Sequence, residues 1–401
     1  MTVIESAPAA RGNSNDQVRR HNLSVVLELV HQGRGLSRSQ LTRQTGLNRS
    51  TVAALVAELV ERELVVESDP GSSNQVGRPS PIVRPSATTV AIVINPEFDA
   101  LTIGVVALGG TVLKRVRYAS DHPPSVTEAV TICAAVIAGM RPELDTLYRT
   151  VGIGIAVPGL VRVEDGLVRL APHLGWVDEP LAALLADATG YPVLAANDAH
   201  LGARAESTFG AGRALSDLIY LNGGASGIGG GIISGGKSLG GIAGYAGELG
   251  HTFVNSSGVQ CHCGAVGCLE TEVRRESLLQ LVGLVDADVD ELEAAILASE
   301  EPSVLAEVHR QLDFLAIALR NAINIFNPQL IVLGGFLGTL YVVAPQYLEG
   351  LLAEQPLKAS REGVRVARAE LGSDILLIGA GELAFRSLIA DPAGFVPLAR
   401  K

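Results

Sequence analysis

Gly247-Glu248-Leu249-Gly250-His251, then Cys261-His262-Cys263-Gly264-Ala265-Val266-Gly267-Cys268, is the stretch on which the reading of this chain turns. The chain holds four cysteines in 401 residues, and three of them fall within these eight positions. Three thiolates with one imidazole, His251, Cys261, Cys263 and Cys268, form a closed tetrahedral set for Zn2+. Gly264 and Gly267 let the backbone wrap closely around an ion. A chance cluster of buried thiols is the alternative. A redox pair fits less well, because Cys-x-Cys lacks the Cys-x-x-Cys spacing. Four protein ligands leave no open position, so the zinc is expected to be structural. Its expected task is to orient Glu248, three residues before His251, and Glu270, two after Cys268, toward a ligand.

Outward from that stretch, the apolar content of 47% and the chain length predict two or three domains with substantial cores. No apolar run is long enough to span a bilayer, and no signal peptide is apparent. With cysteine concentrated in a metal pattern, a cytoplasmic protein without a membrane partner is expected. The net charge of −11 argues against nucleic-acid binding by the chain as a whole. Residues 11–84, however, carry ten Arg against seven acids. A small basic module on an acidic body is therefore predicted.

Residues 1–17 read as a flexible tail, and 18–84 as a winged helix-turn-helix domain. Leu23, Val26, Leu27 and Val30 recur at helical spacing. Ser37 is placed to cap a helix over Arg38–Thr45, Gly46 to make the turn, and Asn48 to cap a second helix. Two short apolar runs around the Gly/Ser/Pro-rich stretch Asp69–Ser80 read as a hairpin wing. In such a module the second helix enters the major groove, so Asn48, Arg49, Ser50 and Thr51 are candidate base contacts. Arg49 suits bidentate pairing with guanine. Arg38 and Arg43 are candidate phosphate contacts, and Arg78 a candidate for the minor groove or a phosphate. A protein-binding domain of the same shape is the alternative; the polar, cationic helix start opposes it.

After Pro85, the runs Thr89–Ile94, Leu101–Leu108 and Thr111–Tyr118 predict an antiparallel meander joined at Gly109-Gly110. A helix over about Ser125–Met140 and strands at Val151–Val157 and Val193–Ala196 follow. A second set begins at Leu218–Leu221, with helices near Arg275–Val282, Glu291–Ser299 and Pro302–Ile325. Meander then helix-strand alternation, twice over, predicts two α/β halves around a cleft. Gly227–Gly231 and Gly334-Gly335 have the character of phosphate-approaching loops, although tight turns explain them equally well. Asp198, beside Asn197 at a strand end, suits either a general base toward a sugar hydroxyl or an acceptor for a bound polyol.

The run Gly241-x-x-Gly244-x-Ala-Gly247-Glu248-x-Gly250-His251 with Cys261-x-Cys263-Gly264-x-x-Gly267-Cys268-Leu-Glu270 closely resembles the ROK family of repressors and sugar kinases. So do Val157-Pro-Gly159, Ala171-Pro-His-Leu-Gly-Trp176 and Ala196-Asn-Asp-Ala199, and the first module followed by Gly77-Arg-Pro-Ser80 resembles the family's transcriptional regulators. The resemblance implies an α/β chain with a winged helix-turn-helix ahead of a two-lobed actin-like, hexokinase-like ATPase fold with a structural zinc. Lobe 1 would span 85–199, rejoined by a C-terminal helix near 380–401, and lobe 2 would span 200–379. It implies sugar contacts from Asn197, Asp198, Glu248, His251 and Glu270, and a dimer or tetramer.

Two departures qualify this. Family kinases open their first strand with Asp-x-Gly-Gly-Thr, where this chain has Ile94-Asn-Pro-Glu-Phe-Asp-Ala100. Asn95 stands in the Asp position, Pro96 and Phe98 suit no phosphate cradle, and Glu97 and Asp99 repel ATP. Asp198 thus reads as a vestigial base in a chain without enzymatic activity. His173 takes the place of the usual Asn and is a further candidate ligand contact. The expected function is a sugar-responsive regulator, a repressor, that binds double-stranded operator DNA, with coupling through Arg84–Thr88. The alternatives are an ATP-dependent sugar kinase with a fused DNA-binding domain, and a constitutive DNA binder whose body only dimerises.

Overall fold

The computed structural model describes residues 15–68, 80–285 and 287–395. Helix α1 (Asn15–Gly33) begins ahead of the Val18 start that its apolar spacing predicts, so residues 15–17, assigned to the tail, are helical. Asp16 in the first turn faces the positive end of the helix dipole. Leu23, Val26, Leu27 and Val30 are fully buried. Then come β1 (Leu36–Ser37), α2 (Arg38–Thr45), α3 (Arg49–Glu61), β2 (Val65–Ser68) and β3 (Ile82–Pro85). Ser37 and Gln40 form a reciprocal capping box on α2, and Gly46, with φ of 70°, ends it. Asn48 caps α3. Strand β3 pairs antiparallel with β1 and β2, which builds the wing's base. The wing tip, with Arg78, lies outside the described residues.

The first half of the body contains β4 (Thr89–Pro96), β5 (Ala100–Ala107), β6 (Thr111–Ala119), α4 (Val126–Leu147), β7 (Arg149–Val157), β8 (Leu160–Val161), β9 (Val168–Ala171), β10 (Trp176–Glu179), α5 (Leu181–Thr189), β11 (Val193–Asn197) and α6 (Asp198–Phe209). Helix α4 runs past the predicted end at Met140, through the exposed Pro142. Proline's fixed φ is helical, and its missing N–H costs one bond. The second half contains β12 (Leu218–Gly224), β13 (Gly227–Ser234), β14 (Lys237–Ser238), α7 (Leu269–Glu272), α8 (Arg275–Leu281), α9 (Val289–Ala298), α10 (Pro302–Phe326), β15 (Leu330–Gly335), α11 (Phe336–Val343), α12 (Pro345–Glu354), α13 (Lys358–Arg361), β16 (Arg365–Arg368) and α14 (Ile375–Ala390).

The two five-stranded sheets share one topology. Each has its first strand at the centre, two antiparallel strands on one side and two parallel strands on the other: β11-β7-β4-β5-β6 and β14-β13-β12-β15-β16. Every residue of β4 and β5 is buried, as expected for strands covered on both faces. Residues 227–231, read from sequence as a loop or turn, lie within β13 and pair with β12. Among the described residues no helix is long and apolar enough to cross a membrane.

Helix α14 begins at Ile375, inside the range assigned to the second lobe, yet it packs on β7 and β4 of the first sheet and along α6. The approach is close. A Cβ on Gly154 of β7 would stand 1.9 Å from the Ala380 carbonyl oxygen, and one on Gly379 would stand 2.4 Å from that of Leu201 in α6. Both obstacles are backbone and cannot rotate away. Gly379→Ala is therefore expected to lower stability by about 1–3 kcal/mol, the usual cost of overpacking. Denaturant unfolding followed by circular dichroism, with the native spectrum unchanged, checks this.

Candidate functional site

The DNA-facing candidates divide into two groups. Asn48, Arg49, Ser50 and Arg43 are exposed, and Thr51 is half-buried. Asn48 Oδ1 already accepts from the Thr51 N–H at 2.8 Å and the Ser50 hydroxyl at 2.7 Å. Asn48 is thus committed first to shaping the start of α3, which leaves Arg49 as the long cationic side chain there. Arg38, expected to meet phosphate, instead makes a bidentate ion pair with Glu67 on β2. The planar guanidinium matches a carboxylate fork, and the pair ties α2 to the wing.

A cleft of about 800 Å³ opens where the carboxyl ends of β4, β7 and β11 face the β12–β13 turn and the cysteine-bearing loop. Ligands of open α/β sheets sit at such strand ends. The cleft gathers Asn197, Asp198, Glu248, His251, Glu270 and His173. Asn197 is doubly engaged: Oδ1 accepts from the His200 N–H and Nδ2 donates to the Gly159 carbonyl, both at 3.0 Å. It therefore clamps the Pro158-Gly159 loop to the head of α6.

Asp198, the first residue of α6, has its pKa pushed up to about 7 by burial, with the Glu248 and Glu97 charges adding to the rise; the Ala199 N–H opposes it. Burial also raises Glu248, helped by Glu270, and raises Glu97, helped by Asp99. The cations at the rim are engaged by neighbouring cleft residues. Arg117 pairs with Asp99 at 2.6 Å, and Arg275 donates to the Ala287 carbonyl. In place of a glycine loop, the β4–β5 connection is tight, closed by the Glu97 N–H donating to the Ala100 carbonyl at 2.7 Å.

One wall carries a row of imidazoles. His173, in a short 3-10 turn, lies 6.0 Å from His262, and His262 lies 5.1 Å from His251, centroid to centroid. His262 Nδ1 is 3.0 Å from Glu270 Oε1. Sequence reasoning passed over His262, although its place between Cys261 and Cys263 puts it on any loop those thiols fold. It also passed over His200, which bonds the Ala246 carbonyl and so ties α6 to the strip leading to Glu248. The candidate ligand atoms of His251, Cys261, Cys263 and Cys268 all lie within 4.8 Å of one another, a group able to hold a metal ion. Cys263 and Cys268 sulfurs are 3.7 Å apart, and Cys261 sulfur is 3.6 Å from His251 Nδ1.

A model of the ROK family matches residues 98–387, and one of the IclR helix-turn-helix domain matches residues 23–69. The xylose repressor of Caldicellulosiruptor bescii is 28% identical over 395 residues, covering 94% of this chain and 98% of its own length. Among solved structures, a ROK family transcriptional regulator described as a homologue of the E. coli MLC protein shares 25% identity with a TM-score of 0.75, covering 93% of this chain and 97% of its own. A ROK family glucokinase from Streptomyces griseus, in complex with glucose and AMPPNP, shares 27% identity with a TM-score of 0.64, covering 74% of this chain and 99% of its own. A mixed α/β body of actin-like, hexokinase-like type thus follows an N-terminal helix-turn-helix, and the chain belongs to the ROK family.

Proposed function

We propose that this protein is a sugar-responsive repressor: a sugar in the cleft weakens the hold of α3 on operator DNA. The observation that carries the reading is the joining, in one chain, of a polar, cationic helix start on a helix-turn-helix to a carboxylate-lined cleft. The near full-length match to a xylose repressor supports it. Sugar hydroxyls donate to Asp198, Glu248 and Glu270, and the carboxylates hold them in a partly desolvated site where each bond is strong. The same carboxylates disfavour an anion, so the effector is an uncharged sugar rather than its phosphate ester. A homodimer would set two recognition helices on an operator of twofold symmetry.

The cysteine group holds zinc. Thiolates bound tetrahedrally at about 2.3 Å stand roughly 3.8 Å apart, close to the Cys263–Cys268 spacing; a disulfide would bring them to about 2.0 Å. The ion supplies a fixed point from which the loop presents Glu248 and Glu270. A kinase reading draws on Asp198, whose pKa of about 7 suits a general base, and on the glucokinase likeness. It is opposed by the tight β4–β5 turn and by Glu97.

The proposal is tested on the effector, the DNA contact and the metal. A duplex selected from a random library by the full chain should be released by one of D-xylose, D-glucose or N-acetyl-D-glucosamine, with a loss of affinity of about 5–150-fold. The corresponding phosphate ester should act at least about tenfold less well, and Asp198→Asn should lose the response. Arg49→Ala should weaken the selected duplex by about 1–3 kcal/mol and relax the sequence preference at the bases it meets; anisotropy titrations measure both. Elemental analysis should find about one zinc per chain. Cys263→Ser should lose the metal and the sugar response while still binding DNA. Steady ATP-dependent phosphorylation of any of these sugars, lost in Asp198→Asn, would instead favour the kinase.

A further inference from the structure

His31 belongs to α1 of the DNA-binding module, yet only 1% of its surface is exposed, because it is sunk into the body. Its Nδ1 accepts from the Gly109 N–H at 2.9 Å, so the ring's proton sits on Nε2 and donates to Glu382 of α14 at 2.6 Å. The ring edge also meets Phe209 at 5.1 Å and Phe385 at 6.0 Å. Glu382's second oxygen lies 3.6 Å from Arg204 Nε and 3.4 Å from the Thr208 hydroxyl. Burial raises the Glu382 carboxyl, and the His31 hydrogen bond, Arg204 and Thr208 act against that rise. Arg34, just past the end of α1, stacks its guanidinium 4.6 Å from the Phe209 ring centre and donates to the Gly109 carbonyl at 3.0 Å.

Arg204, Thr208 and Phe209 share one helix, α6, whose other end is Asp198 in the cleft. Its twelve residues span about 18 Å. At the cleft end it is tied by His200 to the Ala246 carbonyl, and midway it bears on α14 at Leu201 and Gly379. Near its head the helix is also backed by β13, where a Cβ on Gly231 would stand 2.6 Å from the Ala199 carbonyl oxygen, so α6 is gripped on two faces.

We propose that α6 carries the occupancy of the cleft to the DNA-binding module, and that the His31–Glu382 pair with Arg204 is the latch it works on. The inference rests on the effector-responsive reading above. A sugar bonded to Asp198 and Glu248 displaces the head of α6 by on the order of 1 Å, a shift that packed interfaces convert into a discrete rearrangement. At the far end, Arg204 and Thr208 then leave Glu382 and Phe209 slides on His31. The buried pair loses its best geometry, and α1 is held less firmly in the orientation that presents α3 to DNA. Sugar and DNA must then oppose each other equally, since coupling between two sites is reciprocal.

The test uses the full chain with zinc bound, the selected duplex, and whichever of D-xylose, D-glucose or N-acetyl-D-glucosamine releases it. Arg204→Ala, Glu382→Gln and His31→Gln are compared with the parent. Duplex affinity is measured with and without saturating sugar, and sugar affinity with and without duplex. The expected result is that sugar-free duplex affinity falls toward the parent's sugar-bound value, sugar affinity in the absence of duplex is at or above the parent's, and the coupling factor falls toward one in both directions. Arg204 is partly exposed, so its variant decides the matter if a change at the buried pair prevents folding. Unchanged coupling in Arg204→Ala and in any folded latch variant overturns the inference. If no sugar of the panel moves the parent's duplex affinity, the effector reading itself fails, and it does so before any variant is made.

Discussion

The backbone-to-backbone contact of α14 with β7 and α6 is the constraint on which the rest of the molecule depends. A helix formed by residues 375–390 closes the sheet begun at residue 89, so the first lobe is complete only when the end of the chain arrives. The DNA-binding module then docks on the same helix. Ser24 donates to the Ile389 carbonyl at 2.7 Å, Arg20 pairs with Asp391, and Arg62 donates to the Ala393 carbonyl at 3.2 Å. The module's orientation is therefore set by the last-formed element as much as by the short link from β3 to β4. Contacts between such distant parts of the sequence form late, after the loop-closure entropy has been overcome.

A second constraint acts at the cleft. Burial, and then neighbouring carboxylate charge, raises the proton affinity of Glu97, Asp198 and Glu248, and the acidic groups of the cleft are held together by separate elements. Glu97 sits on a tight turn, Asp198 at a helix head, and Glu248 and Glu270 on either side of the cysteine loop. Glu270 belongs to α7, a helix of four residues. A single turn has almost no stability of its own. Its neighbours fix it: Leu269 is fully buried and its N–H donates to the Thr252 carbonyl at 2.9 Å, and the Cys261 thiol donates to Glu270 at 3.0 Å, within a loop whose cysteines could hold a metal ion. The loop's chemistry is thus mechanical: it holds charges where their mutual repulsion would disperse them, and hydroxyl donors from a ligand relieve that repulsion.

Much of this was legible in the sequence. The capping residues of α2 and α3 have local signatures, since Ser37 and Asn48 act within three positions of themselves. The strands of both sheets announce themselves as apolar runs, and the cysteine group by spacing. What was hidden depends on partners far along the chain. Arg38 looks like any surface cation until β2 brings Glu67 to it. Residues 227–231 read as a phosphate-approaching loop or a tight turn, because a glycine run gives no sign that it pairs with β12 and that α6 lies across it. His31 is one polar residue on an otherwise apolar helix face, and its hydrogen-bond partners, Gly109 and Glu382, are separated from it by 78 and 351 positions. The link Arg84–Thr88 is covalent and visible in the sequence, whereas the packing of α6 against His31 has no sequence signature.

Asp198 brings the two constraints together. Ionised, it is favoured by its place at the positive end of α6 and by the Ala199 N–H; buried beside Glu248 and Glu97, it is disfavoured. These opposing effects leave it near neutrality, where a ligand's hydrogen bonds most easily change its charge. In a kinase that balance serves proton transfer. Here the residue is also the head of a helix whose tail touches the DNA-binding module. A shift in its charge or position therefore bears on α6 as well, while the choice between catalyst and switch also depends on the β4–β5 turn, which here has no glycine loop for phosphate.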